Sequence, residues 1–143
     1  MPKFLENMSP EELREFQKQN CIFCQIVEHK VSAMPVYEDE KVLAVLDINP
    51  ANKGHVLLMP KDHHIIMQQL DDELLGHMFV VAKKISNAIL KGLRASGTNI
   101  YVANGLSAGQ QAQHFVVHII PRFSSVDVSG LDLEKIEVDY DNL

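Results

Sequence analysis

Apolar residues recur along this chain with two different periods, and the switch between them outlines the elements. Ser9-Pro10-Glu11-Glu12 predicts a helix start, with Ser9 as N-cap, Pro10 at the first position and acids in the first turn, running to about Lys18. A short element follows over 23–28. Val36-Tyr37 and the run Val42-Leu43-Ala44-Val45-Leu46 predict a hairpin joined through Glu38-Asp39-Glu40-Lys41. Asn49 to Gly54 is loop, and His55 to Met59 a third strand that stops at Pro60. From Asp72 to about Leu93 the period becomes helical: Leu74, Leu75, Met78, Phe79, Val81, Ala82, Ile85, Ile89 and Leu90 recur at three and four, behind an Asp71 cap. Gly97 is expected to end that helix, before a fourth strand over 99–103, a glycine-containing loop over 104–111 and a fifth strand over 115–120. The pattern is α+β, a mainly antiparallel sheet covered by one long helix.

The last strand carries chemistry. Successive side chains of an extended strand point to opposite faces, so His114, Val116 and His118 share one face and Phe115, Val117 and Ile119 the other. An apolar face backed by imidazoles describes a core strand presenting functional groups on its second side. The middle position of that face, Val116, has neither a lone pair nor a proton to give.

Bulk properties narrow the field. The 143 residues suit one domain, 46% apolar and 22% charged residues suit an ordinary globular protein, and a net charge of −6 opposes a broad nucleic-acid surface. A small anion needs only a few local donors and is not excluded. No apolar run is long enough to predict a membrane span, and residues 1–20 lack the apolar core of a signal peptide, which makes the cytoplasm the expected location. Residues 1–20 read as a helical extension, 21–123 as the domain and 124–143 as an acidic tail.

Cys21-Ile22-Phe23-Cys24 is poorly spaced for a structural disulfide and well spaced for metal or redox work, with a pair of buried thiols as the plain alternative. Among seven histidines, His29, His64 and His77 read as surface or packing residues. His55, directly after Gly54, and His63, just past the same strand, stand beside the two-histidine strand and suggest a site. Asp47, ahead of Asn49-Pro50, reads equally as a turn residue, and Phe23, Val31 and Ile48 as ordinary core.

Six segments in order resemble the histidine triad (HIT) family from about residue 21 to 122. They are Cys21-Ile22-Phe23-Cys24, Val36 to Glu40, Val45-Leu46-Asp47-Ile48, Lys53-Gly54-His55 through Lys61, Ala108-Gly109-Gln110, and the strand ending Ile120-Pro121-Arg122. The resemblance implies a five-stranded mainly antiparallel sheet extended across a homodimer, and a purine nucleotide or nucleoside monophosphate as ligand. In that family the middle of three alternating histidines attacks the α-phosphorus. Aligned on Gly109-Gln110, the three fall at His114, Val116 and His118. The resemblance therefore implies hydrolysis lost or very weak, with residual or positional roles for His118 and His55.

It further implies Asp47 on the ribose hydroxyls, Phe23, Val31 and Ile48 around the base, and Asn104, Gln110 and His118 at the phosphate. Gln111 and Ala112 stand where relatives carry a small hydroxyl residue and then valine. Some branches of the family close a structural zinc site with residues that here are Cys21, Cys24, His63 and His114. Three functions fit: a zinc-stabilised nucleotide-binding protein, an enzyme on nucleoside phosphoramidates or dinucleoside polyphosphates by a modified mechanism, or a non-catalytic dimeric interaction module.

Overall fold

The structure, a computed structural model, describes residues 4–124, so the acidic tail expected over 124–143 lies almost wholly outside the described residues. Five strands, β1 (Pro35–Glu38), β2 (Val42–Leu46), β3 (Val56–Pro60), β4 (Gly97–Tyr101) and β5 (Val117–Arg122), form one sheet in the order β1-β2-β3-β5-β4. Every pairing is antiparallel. Helices α1 (Pro10–Gln19), α2 (Ile22–Val27) and α3 (Asp72–Gly92) complete the α+β architecture. Among the described residues no helix is long and apolar enough to cross a membrane.

Alternation along β2 and β3 sorts the core into two layers. Val42, Ala44, Val56 and Leu58 face α3, with Val117 and Ile119 of β5, and meet its stripe of Leu74, Met78, Val81, Ala82, Ile85 and Ile89. Leu43, Val45, Leu57 and Met59 face the other way and are covered by Phe23, Ile26 and Val27 of α2 with Ala33 and Val116. The central strands β2 and β3 are therefore buried on both sides, by a long helix and by a short one.

Helix α3 begins as expected, the Asp71 carboxylate accepting the Leu74 amide at 2.7 Å. Its stripe is narrower than the apolar residues suggest. Phe79 and Leu90 are 41% and 38% exposed, each standing one residue, about 100° of rotation, past a stripe member. The helix also stops before Gly97: Leu93 closes it and Arg94 takes a left-handed turn with φ 56°. Gly97 instead opens β4. Helix α1 has the expected Ser9 cap, made reciprocal by Glu12, whose carboxylate accepts the Ser9 amide at 2.8 Å.

The last two strands lie two residues away from their expected places, β4 earlier and β5 later. Pairing between them starts at Tyr101 opposite His118 and ends at Gly97 opposite Arg122. Residues 114–116 keep the predicted alternation but bond elsewhere: the Phe115 amide donates to the His64 carbonyl at 2.6 Å, and His114 Nε2 donates to the Pro60 carbonyl at 2.8 Å. That diversion carries His114 to the cysteines.

Candidate functional site

Cys21 caps α2 and Cys24 lies one turn on, both buried. His63 follows β3, and His114, 1% exposed, precedes β5. Their ligand atoms all lie within 4.8 Å of one another. Cys21 Sγ is 3.4 Å from His114 Nδ1, and Cys24 Sγ is 3.2 Å from His63 Nδ1 and 3.6 Å from His114 Nδ1. A tetrahedral zinc with Zn–S of about 2.3 Å and Zn–N of about 2.1 Å sets S···N edges of about 3.6 Å. The distances of 3.2, 3.4 and 3.6 Å reach that value or fall a few tenths of an ångström short of it, so the cluster is able to hold a metal ion.

The surroundings support the same reading. The proton of His114 sits on Nε2, given to Pro60, which aims the Nδ1 lone pair at the two sulfurs. Burial pushes its pKa down to about 4, keeping it neutral and ligating. Burial, then the neighbouring Cys21, pushes the Cys24 thiol up to about 12; a cation among the sulfurs would supply the counter-charge that a thiolate needs. His63, lowered by burial, packs edge-on against His114 with ring centroids 5.3 Å apart. Its Nε2 is buried with no partner among the described residues, and its Nδ1 faces Cys24 Sγ.

Beside this cluster, over the α2-covered face of the sheet, opens a cavity of about 420 Å³ whose lining includes Phe23, Asp47, Tyr101, Gln110, Val116 and His118. His55 and His114 reach it as well. Two imidazoles there form a directed chain. The Ala51 amide donates to His55 Nδ1 at 3.0 Å, and His55 Nε2 lies 2.9 Å from His118 Nδ1. A backbone amide can only donate, so His55 holds its proton on Nε2 and gives it to His118, which keeps its own proton on Nε2. Asp47 Oδ2, 3.6 Å from His55 Nδ1, pulls toward an imidazolium, but burial outweighs it and lowers His55. His118 is lowered by burial too, with Asp47 again opposing. Both rings are neutral hydrogen-bonding groups at pH 7.

Gly54 delivers His55 to this place through a left-handed backbone turn. With φ +83° the position needs glycine for its backbone; a Cβ there would also press on the movable tip of Leu93 and lie 3.3 Å from Pro121 Cγ.

Not every residue singled out in the sequence reaches the cavity. Val31 lines a neighbouring hollow of about 440 Å³ with Leu43 and Val45, on the same sheet face. Ile48 is 89% exposed on the loop after β2. Asn104 is turned away, its Oδ1 accepting the Met67 amide at 2.8 Å and its Nδ2 donating to Gln68 Oε1 at 2.9 Å. Gln110 lines the cavity, yet its amide is spent on the backbone: Nε2 donates to Ile65 and Ala112 carbonyls at 2.6 and 2.9 Å, and Oε1 accepts from Gly105 at 2.8 Å. It shapes the loop. Tyr101 escaped notice in the sequence; it stacks edge-on against His118 at 5.6 Å only because β4 pairs it there.

A model of the HIT domain matches residues 28–125. An uncharacterized HIT-like protein of Borreliella burgdorferi is 46% identical over 109 residues, which span 74% of this chain and 78% of the relative. A Zn-bound histidine triad family protein from Mycobacterium smegmatis matches with a TM-score of 0.73 at 36% identity, covering 76% of this chain and 78% of that one. A hypothetical histidine triad nucleotide-binding protein from Sulfolobus tokodaii strain 7 matches at 0.71 and 37% identity, covering 73% and 70%. With this sheet, this pair of sites and these relatives, the chain belongs to the HIT family.

Proposed function

We propose that this chain binds a purine nucleotide in the cavity, carries a structural zinc at Cys21, Cys24, His63 and His114, and has little or no nucleotide hydrolase activity. The observation that carries the reading is Val116, an aliphatic side chain in the cavity wall on the face that presents His118. In the resemblance to the family it stands where the attacking histidine would be. Loss of a principal nucleophile costs on the order of 10⁶-fold in rate. His118 and His55 remain, both neutral, and they fit positional roles better than attack.

Asp47 supplies the carboxylate for the ribose hydroxyls, and Phe23 the aromatic wall for the purine. Val31 and Ile48 would meet the base from the neighbouring hollow and the loop above it. Gln110 and Asn104 hold the phosphate-side loops in shape. Zinc on four protein ligands would act as a cross-link. The nucleotide-binding relative from Sulfolobus tokodaii and the zinc-bound one from Mycobacterium smegmatis support both assignments. We further infer a homodimer with the sheet continued through β4, which lies at the sheet edge with Ile100 and Tyr101 exposed. Residues 1–20 and 124–143 are then extensions of the domain.

The test is turnover of an adenosine phosphoramidate by this chain beside its Val116→His variant, with zinc content measured in both. Little turnover in the parent and a gain in the variant is the expected result. Efficient turnover by the parent that depends on His118 would sink it and establish a modified hydrolase. Calorimetric titration with AMP and GMP gives the second arm: binding that Asp47→Ala abolishes is expected. No binding at millimolar nucleotide leaves only the interaction module.

A further inference from the structure

We infer that the metal centre and the ligand cavity are coupled, each stabilising the occupied form of the other through Phe23 and His114. The inference rests on the nucleotide-binding reading above.

Two walls of the cavity are tethered to the metal ligands within one or two residues. Phe23 lies between Cys21 and Cys24 on α2, and it lines the cavity. Helix α2 has only six residues and Cys21 makes no side-chain cap, so the helix has little stability of its own. Phe23, Ile26 and Val27 pack it on the sheet, and Cys21 and Cys24 add a second attachment on either side of Phe23. An ion bridging them to His63 and His114 holds Phe23 in place.

The second wall starts from His114, which offers Nδ1 to the sulfurs while lining the cavity. Its ring lies 5.9 Å from that of Phe23, at 57°. Its carbonyl accepts the Gln110 amide at 3.5 Å, and Gln110 orders the loop on the cavity's far side. Two residues on, Val116 forms part of the wall itself. The four ligands come from three places far apart in sequence, and both walls are tied to them.

A nucleotide that packs on Phe23 needs that side chain ordered. Metal binding orders it beforehand, so the ligand meets a lower entropic cost. Linkage then requires the reverse with the same factor: bound nucleotide tightens the metal. Couplings of this kind are typically 5–150-fold, and about tenfold or more is expected here because Phe23 and the His114 segment both respond.

The experiment uses the full chain, stripped with a chelator and reloaded with zinc. AMP and GMP are titrated into both forms by calorimetry. In parallel, a chromogenic chelator competes for zinc in the loaded protein with and without saturating nucleotide, which needs no folded metal-free state. The expected result is nucleotide affinity about tenfold higher with zinc and zinc affinity raised by the same factor with nucleotide. Phe23→Ala keeps all four ligands, so it should still take up zinc while the factor shrinks to the part carried by the His114 segment. Equal affinities with and without the partner ligand overturn the coupling and leave the nucleotide reading standing, as does an undiminished factor in Phe23→Ala for the route through Phe23. If neither form binds AMP or GMP, the nucleotide reading itself fails and the coupling with it.

Discussion

Lowering the pH of the metal-free protein is expected to unfold it in a window that His114 defines. Its side chain is 1% exposed, and burial pushes the pKa from the ordinary 6.5 down to about 4 in the folded protein. Because the folded value is the lower one, each proton taken up favours the unfolded chain. The stabilisation from the neutral ring is complete above about pH 6.5 and is lost as the pH falls toward 4. A shift of that size corresponds to about 3 kcal/mol, a large share of the ~5–15 kcal/mol that holds a domain together. Burial lowers His55, His63 and His118 in the same direction, so the slope of the whole protein is steeper than this one group supplies. His114→Gln isolates the contribution, since the amide can still donate to the Pro60 carbonyl but cannot take up a proton. Urea unfolding with chelator present, followed by far-UV circular dichroism because the chain has no Trp, measures stability from about pH 7 to about 4.5. Stopping there keeps most carboxylates ionised. The parent should lose about 2.5 kcal/mol more than the variant over that range. Equal losses in the two proteins would refute the argument, because the ring would then be protonated in the folded state without penalty.

Three further outcomes follow from the packing and the hydrogen bonds. Phe115→Ala, at a 1% exposed position in the layer beneath α3, is expected to cost about 3–5 kcal/mol in urea unfolding, with an unchanged fold by circular dichroism. Asp71→Ala removes the cap on the Leu74 amide and should cost about 1 kcal/mol by the same measurement, without changing zinc content. Gln110→Leu strands the Gly105 amide and the Ile65 and Ala112 carbonyls; it should destabilise by about 1–3 kcal/mol and weaken AMP binding in calorimetry, while zinc uptake is kept.

Much of the fold is written in local signals. Ser9 and Glu12 announce α1, Asp71 and the three-four spacing announce α3, and alternation predicts that Phe115, Val117 and Ile119 share the face opposite His114, Val116 and His118. Periodicity reports which face a residue occupies. It does not report where pairing begins, because register is decided by the partner strand. That is why β4 and β5 each lie two residues from expectation, and why Tyr101 gave no sign of meeting His118. The metal quartet was legible only through resemblance, since Cys21 and His114 are 93 residues apart and spacing alone could not pair them. Asn104 and Gln110 were placed on the correct loops, but which backbone groups their amides would satisfy depends on the segment over 65–68, which joins them only in the folded chain.

The amide of Ala51 sets a polarity that extends well past its own hydrogen bond. Its N–H fixes one tautomer of His55, and that tautomer fixes one for His118, so both rings face the cavity end to end in a single sense. An incoming oxygen that accepts from His118 leaves the order intact. A group that must donate to His118 requires both rings to exchange tautomers, and then Ala51 and His55 would meet proton to proton. Leaving that amide unmatched costs about 1–3 kcal/mol, roughly a tenfold to hundredfold bias. A single peptide group on a surface loop thus sets which kind of hydrogen-bonding group suits His118, favouring acceptors over donors.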